Sequence, residues 1–274
     1  MSEPPTLQAA LATHFGFSSF REGQEAVISA VMAGQDCLAV MPTGGGKSLS
    51  CQLPAVLRPG VTLVISPLIA LMKDQVDGLV SSGIAATYVN STLTARERRE
   101  RLDALAAGRY DLIYVAPERF RSPRFSDALA RTRVSLFAVD EAHCVSMWGH
   151  DFRPDYLQLA QVLPTLGDPQ VLCLTATATP EVREDVAGQL GLGIPPRGEL
   201  EVVVRGFARP GLTLGVTRVR GREDKYARAH ALLEELGTGI VYCATRRSVE
   251  GLTERLRAAG VSCVLGHGFC TAPA

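Results

Sequence analysis

The chain has 274 residues, 46% of them apolar, with 28 basic and 28 acidic side chains. That length and composition support a large buried core and exclude global disorder. Because the charges balance, any affinity for nucleic acid must come from a local patch and not from the field of the whole chain. Six short apolar runs follow in order: DCLAVM (36–41), VTLVIS (61–66), ATYVN (86–90), DLIYVA (111–116), SLFAVD (135–140) and VLCLTAT (171–177). Each precedes a turn and then a helical pattern, which predicts βαβ units around a parallel sheet. In such sheets ligands bind beyond the carboxyl ends of the strands. The loops MPTGGGKS, SPL, APERF, DEAHCVSMWGHDF and TATAT all leave those ends, so one continuous site is expected there.

Between these runs, RERRERLDALAAGR (96–109) mixes charge of both signs with Leu and Ala at helical spacing and reads as a solvated helix face. Around 191–211 the texture turns rich in Gly, Pro and Arg, and we read GLGIPPRGELEVVVRGFARPG as a connection into a second unit. The expected domains are therefore 1–206 and 207–274. The second begins strand (LTLGVTRV), helix (KYARAHALLEELG), strand (GIVYCAT), helix (RRSVEGLTERLRAAG), strand (VSCVLG).

The cysteines (Cys37, Cys51, Cys144, Cys173, Cys243, Cys263, Cys270) lie far apart with no C-x-x-C pair. This argues for reduced thiols rather than a disulfide framework. His143, Cys144 and His150 match none of the usual zinc spacings, so no zinc is expected. The N-terminus lacks a signal-peptide pattern, and the longest apolar run, VTLVISPLIALM, is broken by Ser66-Pro67 and too short for a bilayer. A cytoplasmic protein with no membrane partner is the expectation.

The strongest chemical signal is MPTGGGKS after DCLAV. Gly44, Gly45 and Gly46 let backbone N–H groups turn inward around phosphates at a helix start, Thr43 leads into the turn, Lys47 reaches the β/γ-phosphates and Ser48 ligates Mg²⁺. The general phosphate-loop pattern asks for Gly where this chain has Met41. Only three of the 28 basic residues are lysines, so a lysine placed here by chance is improbable. ATP and Mg²⁺ are the expected cofactors. Asp140, ending a buried strand, would complete the Mg²⁺ shell opposite Ser48, and Glu141 would orient or deprotonate the attacking water. In GFSSFREGQ (16–24), just before the expected first helix, Gln24 has the groups to pair with an adenine edge, and Phe17 and Arg21 could stack on its faces. Phe17 and Phe20 are equally compatible with core packing.

Taken together, FGFSSFREGQ, VMPTGGGKSLS, VISPLIALMKDQV, YVAPERF, VDEAHC, WGHDFRPDY, LTATAT, FARP and GIVYCATRRSVE resemble the RecQ family of DNA helicases, from about His14 to Gly260. WGHDFRPDY after DEAH is the specific part. The resemblance implies an α/β fold: a RecA-like P-loop NTPase domain followed by an incomplete second RecA-like domain. It also implies ATP-dependent unwinding of DNA with 3′-to-5′ polarity, in recombination and repair, with single-stranded and duplex DNA as partners. The aromatic loop would sense single-stranded DNA: Trp148 and Phe152 offer stacking surfaces and Arg153 a cation, with His150 relaying to the ATP site. Ordinary packing is the alternative for the two rings. Ser66, Pro67 and Leu68 match a backbone-contacting loop, and Thr175, Ala176 and Thr177 match the segment that links nucleotide state to DNA grip. Met147 stands where the family usually has Gln. After Leu265 the text is GHGFCTAPA in place of the family's continuation. The resemblance therefore implies a chain truncated or frame-shifted within the second unit, without its arginine finger and impaired in unwinding. A non-catalytic ATP- and DNA-binding remnant is the alternative.

Overall fold

Alternation along the strands decides the architecture. In Cys37–Val40, Leu38 and Val40 pack into one apolar layer while Cys37 and Ala39 pack into another, and all four are buried. A strand buried on both faces needs helices on both sides, which is the condition for a parallel sheet. The structure, a computed structural model, describes residues 6–149, 151–206 and 212–266. Its elements are α1 (Leu7–Phe15), α2 (Gln24–Met32), β1 (Cys37–Val40), α3 (Leu49–Leu57), β2 (Val61–Ile65), α4 (Ile69–Ser81), β3 (Ala86–Val89) and α5 (Ala95–Ala106). There follow β4 (Leu112–Val115), α6 (Pro123–Ala130), β5 (Val134–Asp140), α7 (Pro154–Leu157), α8 (Leu159–Val162), β6 (Gln170–Thr175), α9 (Pro180–Leu190) and β7 (Glu201–Val204). Two further helices, α10 (Gly221–Leu236) and α11 (Arg246–Ala258), complete the order.

The seven strands form one parallel sheet in the order β3-β4-β2-β5-β6-β1-β7. From β1 the chain crosses over β6 and β5 to reach β2, so three strands far apart in sequence end side by side. Helices α2, α3 and α4 cover the face that holds Ala39, Val64, Ala138 and Leu174. Helices α5, α6 and α9 cover the face that holds Leu38, Ile65, Phe137 and Cys173. Burying Phe137 completely contributes about 1.5–3 kcal/mol over leaving it exposed. The charged face of α5 is solvated as expected. Its start is fixed by Thr94, which accepts from the Glu97 N–H while the Glu97 carboxylate accepts from the Thr94 N–H.

Three expectations need correction. Gly16–Gln24 does not precede the first helix; α1 precedes it, packing Leu11 against Ile28 and Leu53. Glu201–Val204 is not connection but the seventh strand, pairing with β1 in the register Leu38↔Val202. The chain divides into two compact units, Met1–Arg209 and Pro210–Ala274. In the second, α10 and α11 lie where helices were expected, joined by an Arg255–Glu223 ion pair of 2.6 Å. The three segments expected there as strands form no ladder among the described residues, and Leu214, Val216 and Val264 are almost fully exposed. Apolar alternation marks a segment able to pair, but pairing also needs a neighbour laid alongside.

Candidate active site

Because β1, β5 and β6 end together, the loops after them meet. The ladder runs on into the first loop, with the Met41 N–H donating to Thr175 O at 3.0 Å. The phosphate loop then turns through Gly44 and Gly46 at positive φ, 82° and 76°. A Cβ at Gly46 would in addition crowd Gln24 Nε2, which would have to shift. The loop is held by its own surroundings. Gln24 donates to Gly46 O at 2.9 Å and Gly45 O at 3.3 Å, and Arg21 donates to Gly44 O. Lys47 Nζ reaches Met41 O at 3.4 Å. Gln24 is buried, and its carbonyl oxygen accepts from the Arg21 N–H at 2.8 Å. Both ends of the amide expected to face adenine thus bond to protein here, while the Phe17 ring is exposed.

Beside the loop a pocket of about 350 Å³ is lined by Thr43, Lys47, Ser48, Ser66, Asp140 and Glu141 among others. Two of its lining residues, Gln75 and Tyr114, belong to a hydrogen-bonded trio that the sequence reading missed: Gln52 Nε2 donates to Tyr114 Oη at 3.0 Å and to Gln75 Oε1 at 3.1 Å. Burial and the neighbouring Glu141 charge push the Asp140 carboxyl from 3.8 up to about 6, against the lowering effects of a backbone hydrogen bond, Ser66 and Lys47. Ser66 Oγ donates to Asp140 Oδ2 at 3.2 Å. Of the Ser66–Leu68 loop, therefore, the serine is buried and turned to the acid pair, and Leu68 is exposed. Beneath, the fully buried Tyr156 hydroxyl donates to Asp140 O at 3.1 Å.

Glu141 sits in the left-handed region (φ 48°, ψ 47°), which costs a non-glycine residue about 1–3 kcal/mol. That turn sends the chain into the 3-10 segment Ala142–Val145 and lays His143 against β6. His143 Nδ1 lies 3.4 Å from Glu141 Oε2 and 2.9 Å from Thr175 Oγ1. Thr175 Oγ1 in turn accepts from the Thr177 N–H at 3.3 Å. A chain of contacts thus leads from Glu141 through His143 to Thr175 and Thr177, in the position where a relay was expected. His150, expected in that role, lies outside the described residues, as does FARP. His143, Cys144 and Asp151 bring one possible ligand atom each within 4.8 Å of one another. Nδ1 of the imidazole faces Thr175 and Glu141, and burial pushes the Cys144 thiol up to about 12.

The aromatic loop follows directly. Trp148 is 80% exposed and Met147 68%, whereas Phe152 is only partly exposed. Core packing is excluded for Trp148. Arg153 pairs with Asp151 at 2.9 Å, and its N–H donates to Cys144 O, pinning the end of the loop to the acid-pair turn.

A parallel sheet with a glycine-rich phosphate loop after β1, an acid pair at the end of β5 and a threonine ending β6 defines a RecA-like P-loop nucleotide-binding domain. Residues 21–186 match the DEAD/DEAH box helicase family, and the chain belongs to it. An ATP-dependent DNA helicase RecQ of Bacillus subtilis is 44% identical over 263 residues, covering 95% of this chain and 44% of the relative. The RecQ of Haemophilus influenzae is 42% identical over 270 residues, covering 97% of this chain and 42% of the relative. The resemblance to RecQ helicases carried by the motifs is thus met by relatives across nearly the whole chain. The chain spans less than half their length. Among solved structures, Mycobacterium smegmatis helicase Lhr bound to ssDNA and AMP-PNP superposes with a TM-score of 0.68 at 23% identity, covering 97% of this chain and 38% of that one. The helicase MrfA bound to DNA and AMPPNP gives 0.68 at 17% identity, covering 94% and 38%. These two likenesses speak to the fold alone. No helix among the described residues is long and apolar enough to cross a membrane.

Proposed function

We propose that this chain is the ATP-binding part of a RecQ-type DNA helicase. The observation that supports it most is the continuous path Glu141–His143–Thr175–Thr177, which joins an acid pair beside a phosphate loop to the segment after β6 and starts on the same loop that bears the exposed Trp148. In this reading Lys47 neutralises phosphate charge, and Glu141 orients the attacking water and accepts its proton. Phe17, Arg21 and Gln24 contact the base, with Gln24 exchanging its bonds to Gly45 and Gly46 for it. Ser48 and Asp140 would hold Mg²⁺. A buried Asp140 carboxyl whose pKa is raised by burial and the adjacent Glu141 charge fits a divalent ion, which when bound offsets charge on the β/γ-phosphates. Trp148, Phe152 and Arg153 contact single-stranded DNA, with Leu68 beside them.

Unwinding with 3′-to-5′ polarity in recombination and repair, on DNA partners in the cytoplasm, is proposed on the strength of the relatives. A second reading, an ATP- and DNA-binding remnant without motor activity, is favoured by the second unit, whose extended segments form no ladder among the described residues. DNA-stimulated ATP hydrolysis by the purified chain separates the two. Stimulation supports the motor; ATP and DNA binding without turnover supports the remnant.

A further inference from the structure

A buried serine hydroxyl has one proton and two lone pairs to place. Ser146, which closes the 3-10 turn after Glu141, is fully buried. Its Oγ donates to Asp185 Oδ2 at 2.6 Å, the separation of a hydroxyl on a carboxylate. The same oxygen accepts from the backbone N–H of Trp148 at 3.1 Å. Ser146 O accepts from the Gly149 N–H at 3.1 Å. Gly149 itself lies so close to the turn that a Cβ there would meet His143 O at 2.3 Å. The Trp148 ring is therefore exposed while the backbone beneath it is fixed.

The other end of this tether is in α9. Asp185 Oδ1 accepts from Gln189 Nε2 at 3.3 Å, which leaves Oδ2 for Ser146. Helix α9 begins at Pro180, capped by Thr179, directly after the Thr175–Thr177 segment. One hydroxyl thus hangs the aromatic loop from the helix that follows the coupling segment. An aromatic side chain on a fixed backbone loses less freedom on stacking than one on a loose loop.

We infer that Asp185 is a positioning residue for the aromatic loop: acting through Ser146, it holds the Trp148 backbone so that the ring is presented to single-stranded nucleic acid. The nucleic-acid half of this inference rests on the reading of Trp148 proposed above; the positioning half does not.

Trp148 is the sole tryptophan of the chain, so its fluorescence reports this loop alone. The experiment measures Trp148 anisotropy in the free chain and oligothymidylate affinity for the parent, Ser146→Ala, Asp185→Ala and Asp185→Asn. Anisotropy is expected to fall in the two alanine variants, and affinity to weaken about tenfold, as for loss of a hydrogen bond to a charged group. Asp185→Asn, which keeps an acceptor oxygen, should restore most of both. Unchanged anisotropy in folded alanine variants overturns the inference. So does lowered anisotropy with unchanged affinity, which would make the tether purely structural. If the parent itself binds no oligothymidylate, the reading of Trp148 falls, and the anisotropy still decides whether Asp185 holds the loop. Should Ser146→Ala unfold, the two variants at the half-buried Asp185 decide alone.

Discussion

His143 Nδ1 and Thr175 Oγ1 meet at 2.9 Å, joining the turn after β5 to the end of β6 within the buried site. The same hydroxyl accepts from the Thr177 N–H, so one oxygen serves both the acid-pair turn and the Thr175–Thr177 segment. Thr175→Val keeps the shape and leaves a buried imidazole nitrogen and a backbone N–H without that partner. A loss of about 1–3 kcal/mol is expected in urea unfolding, with Thr175→Ser close to the parent. Equal midpoints for parent and valine variant would show the contact to be idle.

Among the described residues the hydrogen bond of Lys47 Nζ goes to Met41 O, at a long 3.4 Å. Lys47→Ala should therefore leave the fold intact and weaken Mg²⁺-ATP binding by about 1.5–3 kcal/mol, the value of a hydrogen bond to a charged group. Calorimetric titration of both proteins, with circular dichroism as the control, checks this.

Asp140 predicts a specific pH dependence. Its folded value of about 6 lies above its ordinary 3.8, so between those values folding takes up a proton. Stability from this group must then fall as pH rises through that window and be level on either side. Without divalent ions, Asp140→Asn should match the parent near the lower bound and exceed it above the upper one. Urea midpoints across that range give the difference directly; a constant gap would contradict the burial and Glu141 charge as its cause.

The two aromatic rings should behave differently. Trp148 is exposed, so Trp148→Ala should weaken single-stranded DNA binding by about 1–3 kcal/mol without changing stability. Phe152 is half-buried, so Phe152→Ala should weaken both. Paired DNA titrations and urea melts of the two variants distinguish them.

What was legible in the sequence was local. The phosphate loop, the acid pair and the aromatic loop are each contiguous, and the six buried runs became strands because their apolar content allows burial on both faces. What was not legible depends on partners distant in the chain. EVVV is too short, and too closely flanked by Gly, Pro and Arg, to read as a strand until β1 lies beside it. Nothing around Asp185 announces that it reaches Ser146, and His143 reads as one more loop histidine until β6 brings Thr175 to it. The second unit failed in the opposite sense: its alternating segments read as strands, and no ladder forms among the described residues.

We propose that the nucleotide pocket and the Trp148 loop belong to one coupled site. Linkage makes this measurable at equilibrium, since a nucleotide that changes DNA affinity must be changed in its own affinity by the same factor. Oligothymidylate should be titrated against Trp148 fluorescence with and without saturating Mg²⁺-AMP-PNP. A saturable change at Trp148 is expected, with a midpoint that the nucleotide shifts by about fivefold or more. A nucleotide that binds by calorimetry yet leaves the DNA titration unmoved would contradict it.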